Sequence, residues 1–179
     1  MVKNIGWRVT IAAVLLNLAS GFIYAWSVYA AALIQELGFT KTQAMLPYTV
    51  ALAMLAVMMV PGGKLFDKYG PRVVATAGGI LLIAGMALTS IQTTIPGFVF
   101  FFGVMVGAGS GIAYGVTIPS AVKWFPPAKR GLVSGLVVAG LGLAAAYAAP
   151  LAQAIINAVG VKQTFLIVGI VFGGLVVLL

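Results

Sequence analysis

Six long, continuously apolar stretches divide this chain of 179 residues. Charged residues and turn residues separate them, and the stretches cover residues 9–35, 44–62, 73–92, 96–122, 132–157 and 163–179. A helix needs about 20 apolar residues to span a membrane. Continuous rather than alternating hydrophobicity favours helices over a β-barrel. The sequence therefore predicts an all-α, polytopic membrane protein in which residues 1–179 form one bundle of six transmembrane helices.

The composition excludes several classes of function. Only 7% of the residues are charged, whereas a soluble domain carries about 25%. The chain has no Cys and no His, and its only carboxylates are Glu36 and Asp67. Thiol or imidazole catalysis, zinc and haem sites, and hydrolysis by paired carboxylates are therefore not supported. We predict no enzyme, no metal and no cofactor, and we attribute the net charge of +8 to loops rather than to a nucleic-acid partner.

The basic residues predict the orientation in the membrane. With six spans, the N-terminal tail and the loops at residues 63–72 and 123–131 lie on one side. That side holds eight of the ten Lys and Arg residues, namely Lys3, Arg8, Lys64, Lys68, Arg72, Lys123, Lys129 and Arg130. The other side holds Lys41 and Lys162. By the positive-inside rule the N-terminus is cytoplasmic, in a multi-pass protein surrounded by the lipid of the cell's inner (plasma) membrane.

Two stretches carry polar residues at helical spacing. They are Asn17, Ser20, Tyr24 and Ser27 in the first stretch and Ser110, Tyr114 and Thr117 in the fourth. Steps of three and four place each set on one face of a helix. A polar face is costly in hydrocarbon unless it meets water or another helix. The two faces predict a shared polar cavity, with hydrogen bonds between helices as the alternative.

Glycines repeat every four residues along the fourth stretch, at Gly103, Gly107, Gly111 and Gly115. A stripe of residues without side chains lets two helix backbones approach closely. We therefore predict a close helix–helix contact along this stripe.

Residues 63–72 read Gly-Lys-Leu-Phe-Asp-Lys-Tyr-Gly-Pro-Arg. This segment resembles the loop signature of the major facilitator superfamily, Gly-x-Leu-x-Asp-(Arg/Lys)-x-Gly-x-(Arg/Lys), at all defined positions. We expect Gly63 and Gly70 to supply the backbone angles of a tight connection, and Asp67 to pair with a nearby cation or face a helix N-terminus. The resemblance implies a gating loop, formed by Gly63, Asp67, Lys68, Gly70 and Arg72, that holds two halves of a transporter in one state. A merely basic cytoplasmic turn is the alternative.

Three further segments narrow the resemblance. Residues 21–29, 107–115 and 123–131 are similar to the oxalate/formate antiporter branch of this superfamily, which includes bacterial monocarboxylate carriers. The resemblance implies that Tyr24 and Tyr114 line the substrate cavity and donate hydrogen bonds to a carboxylate.

The predicted substrate-binding residues are Tyr24, Tyr114, Ile23, Ser27 and Ser110. Two positions, Ile23 among these residues and Leu141 outside them, depart from the family pattern. Ile23 replaces a polar side chain found in some oxalate carriers, and Leu141 replaces a cavity aromatic. An apolar wall favours a monocarboxylate with an apolar tail, such as lactate or pyruvate, over the oxalate dianion.

The chain ends at Leu179 without a charged flank, so we expect an N-terminal half whose partner is a missing C-terminal six-helix half. No charged residue lies deep in a stretch, and the resemblance implies that the missing half supplies the cation for a bound anion. The predicted function is secondary active transport of a small carboxylate (lactate, pyruvate, formate or oxalate-like) by alternating access. The alternatives are another small organic solute, a non-transporting membrane interaction module, or an oligomeric pore.

Overall fold

The computed structural model describes residues 2–178, with side chains from residue 5 onward, and no β-strand occurs within that range. Six helices are long and apolar enough to cross a membrane. We name them in chain order α1 (Ile5–Leu37), α2 (Lys41–Tyr69), α3 (Pro71–Ser90), α4 (Ile95–Val122), α5 (Pro127–Val159) and α6 (Val161–Leu178). The predicted all-α bundle of six spans is confirmed.

The glycine stripe of α4 packs against α2. A Cβ atom on Gly107 would lie 2.6 Å from the Ala51 carbonyl oxygen, and one on Gly115 would lie 2.8 Å from the Met59 carbonyl oxygen. Gly111 meets Leu55 between these two contacts. Both helices advance by four residues from one contact to the next, so α2 and α4 run parallel with their backbones touching. The close contact predicted from the glycine spacing is confirmed.

The remaining contacts complete an up-and-down arrangement. In α3, a Cβ atom on Gly78 would lie 2.7 Å from the Gly109 carbonyl oxygen of α4. Further along α3, Met86 meets Gly169 of α6. Between α1 and α5, the Tyr147 hydroxyl donates a hydrogen bond of 2.7 Å to the Leu18 carbonyl oxygen.

The predicted loop at residues 63–72 is mostly helix. Helix α2 continues through Tyr69, α3 begins at Pro71, and only Gly70 (φ 79°, ψ 168°) leaves the helical conformation. The expectation for Gly70 is confirmed, but the one for Gly63 is wrong, because Gly63 lies inside α2 without a positive φ. Proline disfavours the helical conformation in the residue before it and suits the first turn of a helix. The chain can therefore reverse at a single residue.

A single glycine also connects α5 to α6. Gly160 (φ 82°, ψ 166°) is the one residue between these helices. At this end of the bundle, the Glu36 carboxylate in the last turn of α1 accepts a hydrogen bond of 3.1 Å from the Val161 backbone N–H. The connections after α2 and α5 therefore lie at opposite ends of the bundle, and each depends on a backbone conformation that is essentially restricted to glycine.

Two helices change their hydrogen-bonding pattern midway. Residues Gly21–Ala25 of α1 form a 3₁₀ segment, and residues Val99–Val106 of α4 form a π-helix. A 3₁₀ helix has 3.0 residues per turn instead of 3.6, so five such residues rotate the following side chains by roughly 100°. Polar residues on the two sides of this segment therefore face different surroundings.

Aromatic side chains fill the core in the half of the bundle nearer Gly160. Trp26 is buried and donates a hydrogen bond of 2.9 Å from its indole N–H to the Ala44 carbonyl oxygen of α2. Its ring centroid lies 4.2 Å from that of Phe102 and 6.2 Å from that of Phe165. This cluster joins α1 to α2, α4 and α6 and fixes the position of the segment that carries Tyr24.

Candidate functional site

Three half-buried tyrosines from three helices lie near one another. Tyr48 of α2 and Tyr114 of α4 each lie near Tyr24 of α1. Within the described residues their hydroxyls make no side-chain hydrogen bond, in contrast to the Tyr147 hydroxyl. We call Tyr24, Tyr48 and Tyr114 the tyrosine face. Its three phenols are available as hydrogen-bond donors.

Tyr48 is a site candidate that no pattern in the sequence indicates. It follows Pro47 in an apolar stretch and has alanine, leucine or methionine at three and four residues on either side. A search for polar stripes at helical spacing cannot detect a lone tyrosine of this kind. Tyr48 joins the face through packing of α2 against α4, because the glycine stripe brings these backbones together.

The polar stripe predicted on α1 does not form one face. Asn17 and Ser20 are buried, and the Asn17 amide donates a hydrogen bond of 2.8 Å to the Val137 carbonyl oxygen of α5. Tyr24 is half-buried and Ser27 is exposed. The prediction is wrong because it assumed α-helical spacing throughout, whereas the 3₁₀ segment rotates the second pair away from the first. For Asn17, the alternative interpretation of a hydrogen bond between helices is correct.

The polar residues predicted to share one face of α4 also differ in burial. Ser110 and Thr117 are buried, and the Thr117 hydroxyl donates a hydrogen bond of 2.8 Å to the Tyr114 carbonyl oxygen. Ser110 and Ile23 line a small internal cavity whose lining does not include Tyr24 or Tyr114. Of the five predicted substrate-binding residues, only Tyr24, Ser27 and Tyr114 therefore remain accessible, and Ile23 and Ser110 belong to the interior.

Leu141 lies beside the tyrosine-bearing segment of α1. Its Cδ1 atom is 3.5 Å from the position of a Cβ on Gly21, and the side chain is half-buried. Of the two departures from the family pattern, Leu141 is half-buried next to Gly21, which lies one helical turn before Tyr24, whereas Ile23 is buried.

The residues of the predicted gating loop lie at the Gly70 end of the bundle. Asp67 and Lys68 are exposed on the last turns of α2, and Arg72 is exposed in the first turn of α3. Within residues 5–178, no lysine or arginine nitrogen lies within 4.0 Å of the Asp67 carboxylate, so the expected pairing with a neighbouring cation is not formed. Asp67 is free to contact another surface.

Arg72 borders an open cleft of about 580 Å³ at the same end of the bundle. Arg8 of α1 lines the cleft as well, together with the hydroxyl residues Thr117 and Ser120 of α4. Lys123, which follows α4, lies with its Nζ atom 5.5 Å from the centroid of the Phe66 ring. The basic residues of α1, α3 and the α4–α5 turn therefore gather at one end.

Comparison with known proteins gives a consistent result. A family model described as the Major Facilitator Superfamily matches residues 9–179. The chain is 31% identical over 179 residues to the oxalate:formate antiporter of Oxalobacter formigenes, covering 100% of this chain and 42% of the antiporter. It is 32% identical over 169 residues to monocarboxylate transporter 1 of Rattus norvegicus, covering 92% of this chain and 33% of that transporter. The chain spans less than half the length of these relatives.

Three observations agree on the family. The chain has six membrane-length helices, the loop signature at residues 63–72, and a family match over nearly its whole length. The resemblance stated from the sequence is confirmed. The chain belongs to the Major Facilitator Superfamily.

Proposed function

We propose that this chain forms the N-terminal half of a secondary transporter that moves a small carboxylate across the membrane by alternating access. The observation that carries the proposal is the tyrosine face, on which α1, α2 and α4 each contribute one accessible phenol. Relatives named for oxalate, formate and monocarboxylates support a carboxylate substrate. A transporter, rather than an enzyme, also agrees with the family.

The chemistry of the tyrosine face suits recognition of an anion without a fixed charge. A phenol O–H donates a hydrogen bond to a carboxylate oxygen, and it costs far less to bury than a cation. The segments 9–35, 42–63 and 73–122 contain no Lys, Arg, Asp or Glu. We therefore propose that this half orients the carboxylate by hydrogen bonds, while a cation in the C-terminal six-helix half neutralises its charge.

The proposed substrate is a monocarboxylate with a short apolar tail, such as lactate or pyruvate. The half-buried Leu141, next to Gly21 and one helical turn before Tyr24, supports this choice, because an apolar side chain would offer no hydrogen bond to a second carboxylate. Ile23 gives no such support, since it is buried in the interior. Oxalate and formate are the competing substrates that a transport assay must compare.

The gating loop is proposed to contact the C-terminal half from the cytoplasmic side. Asp67 is exposed and without an ion pair inside the described bundle, which leaves its carboxylate available to a partner surface. Replacing Asp67 by Asn should lower the turnover number with little change in KM, because the loop does not touch the substrate. An unchanged turnover number would make this segment a basic turn only.

The proposal is tested by transport kinetics in a complete transporter that contains this chain, reconstituted in proteoliposomes. Tyr24→Phe and Tyr114→Phe should each raise the KM for lactate several-fold, since each removes one hydrogen-bond donor. Tyr147→Phe is the matched control, because its hydroxyl is already bonded to the Leu18 carbonyl oxygen.

Four outcomes would contradict the proposal. Unchanged kinetics in both tyrosine variants would remove the site assignment. Strong preference for oxalate over lactate would remove the proposed substrate. Channel conductance instead of slow, saturable exchange would favour the oligomeric pore, and no transport of any solute would favour the interaction module.

A further inference from the structure

A small cavity of about 20 Å³ lies inside the bundle, between α1, α3, α4 and α6. Most of its lining is apolar, including Leu82 and Met86 of α3 and Val168 of α6. Three residues with hydroxyl groups interrupt this lining, and they are Ser20, Tyr29 and Ser110. The cavity is separate from the tyrosine face, because Tyr24, Tyr48 and Tyr114 do not line it.

All three hydroxyls are buried without a hydrogen-bond partner among the described residues. Ser20 is 4% exposed, and Tyr29 and Ser110 are each 1% exposed. Buried polar groups nearly always have a partner, because burying one without a hydrogen bond is unfavourable. Three hydroxyls without a hydrogen bond around one cavity therefore indicate that a hydrogen-bonding group occupies the cavity.

Tyr29 provides the strongest indication. A serine hydroxyl can rotate onto a carbonyl of its own helix, but the rigid phenol ring holds its oxygen too far from the backbone of α1 to do so. The ring is also fixed by stacking on Phe165, with centroids 4.7 Å apart and an angle of 18° between the planes. The Tyr29 hydroxyl must therefore find its partner across the cavity.

The volume of the cavity indicates which group can be the hydrogen-bond partner of these hydroxyls. A water molecule needs about 10–15 Å³ of such volume and two to four polar neighbours, and this cavity offers 20 Å³ and three hydroxyls. An organic ligand does not fit in this volume. The lining contains no carboxylate, which disfavours a metal cation. We infer that one buried water molecule bridges Ser20, Tyr29 and Ser110.

The site lies where two helices change their hydrogen-bonding pattern. Ser20 immediately precedes the 3₁₀ segment Gly21–Ala25 of α1, and Ser110 follows the π-helix Val99–Val106 of α4. Such irregular turns often mark functional positions in helices. The bridging water links α1 to α4 at this level, one turn from Tyr24 and Tyr114, and so helps to position the tyrosine face.

X-ray radiolytic footprinting of the purified protein in detergent tests this inference. Bound water yields hydroxyl radicals in place, so Tyr29 and Met86 should be modified although bulk solvent does not reach them. Phe98 and Phe165, which are fully buried and do not line the cavity, serve as internal controls. We expect modification of Tyr29 and Met86 to exceed that of both controls several-fold.

Two variants then identify the water's ligands. Ser110→Ala should lower the modification of Tyr29 and Met86 several-fold, whereas Thr89→Ala should not, because the buried Thr89 hydroxyl is already bonded to the Gly85 carbonyl oxygen. Ser110→Thr keeps a hydroxyl but fills the cavity with a methyl group, so it should also lower the modification.

The inference is overturned if, in the intact protein, Tyr29 and Met86 are modified no more than Phe98 and Phe165. It is equally overturned if Ser110→Thr leaves their modification unchanged. A variant that misfolds is recognised because Phe98 and Phe165 then become modified as well, and the measurement on the intact protein still decides.

Discussion

At the scale of single residues, Glu36 shows how a lone carboxylate can join two helices. A negative charge in the last turn of α1 opposes the dipole of that helix, but it faces the N-terminus of α6, where it is favourable. Its carboxylate oxygen lies 3.1 Å from the Val161 backbone nitrogen. We predict that Glu36→Ala lowers the free energy of unfolding by about 1 kcal/mol, the usual loss for a helix cap.

Thermal unfolding in detergent measures this effect. Glu36→Gln keeps an acceptor and should lose less stability than Glu36→Ala, while Gln35→Ala, at an exposed neighbouring position, should be close to neutral. Equal melting temperatures for Glu36→Ala and Gln35→Ala would show that the contact with Val161 does not stabilise the bundle.

At the scale of helices, the glycine stripe of α4 makes a prediction with an internal control. Gly107→Ala places a methyl group 2.6 Å from the Ala51 carbonyl oxygen, and the backbone of α2 can yield only by separating from α4. We expect a loss of about 1–3 kcal/mol in unfolding free energy, as for overpacked cores. Gly142→Ala in α5, with no atom within 4 Å, should be neutral or stabilising. Chemical or thermal unfolding of the two variants compares them, and equal losses would contradict the close α2–α4 contact.

The two glycines of the predicted gating loop, Gly63 and Gly70, should likewise differ in how much an alanine substitution destabilises the bundle. Gly70 (φ 79°, ψ 168°) has a conformation that is essentially restricted to glycine, so Gly70→Ala should cost about 1–3 kcal/mol. Gly63 is helical and has no atom within 4 Å of its Cβ position, so Gly63→Ala should not destabilise the bundle. Melting temperatures in detergent measure both variants, and a larger loss from Gly63→Ala would contradict the single-residue reversal.

The helices also show what the sequence could predict and what it could not. Span positions and the glycine contacts follow from hydrophobicity and spacing, which are local properties of the chain. The separation of Ser20 from Ser27 depends on the 3₁₀ segment Gly21–Ala25, which has no signal in the spacing of polar residues. Tyr48 joins Tyr24 only through packing between α1, α2 and α4. Tertiary contacts therefore decide which predicted polar residues share a surface.

At the scale of the whole molecule, charge predicts which end of the bundle faces the cytoplasm. Of the nine basic residues within residues 5–178, only Lys41 and Lys162 lie at the end where Gly160 connects α5 to α6. The positive-inside rule then predicts that the end with Gly70 is cytoplasmic. The chain contains no cysteine, so single cysteines can report accessibility without removing native ones.

We predict that Lys162→Cys and Lys41→Cys react with a membrane-impermeant maleimide in intact cells. Lys68→Cys and Lys129→Cys should react only after the membrane is permeabilised, because they lie at the opposite end, where both side chains are exposed. The matched control is the unmodified chain, which carries no thiol and should remain unlabelled. The reverse labelling pattern would place the gating loop outside the cell and would contradict a cytoplasmic contact between Asp67 and the C-terminal half.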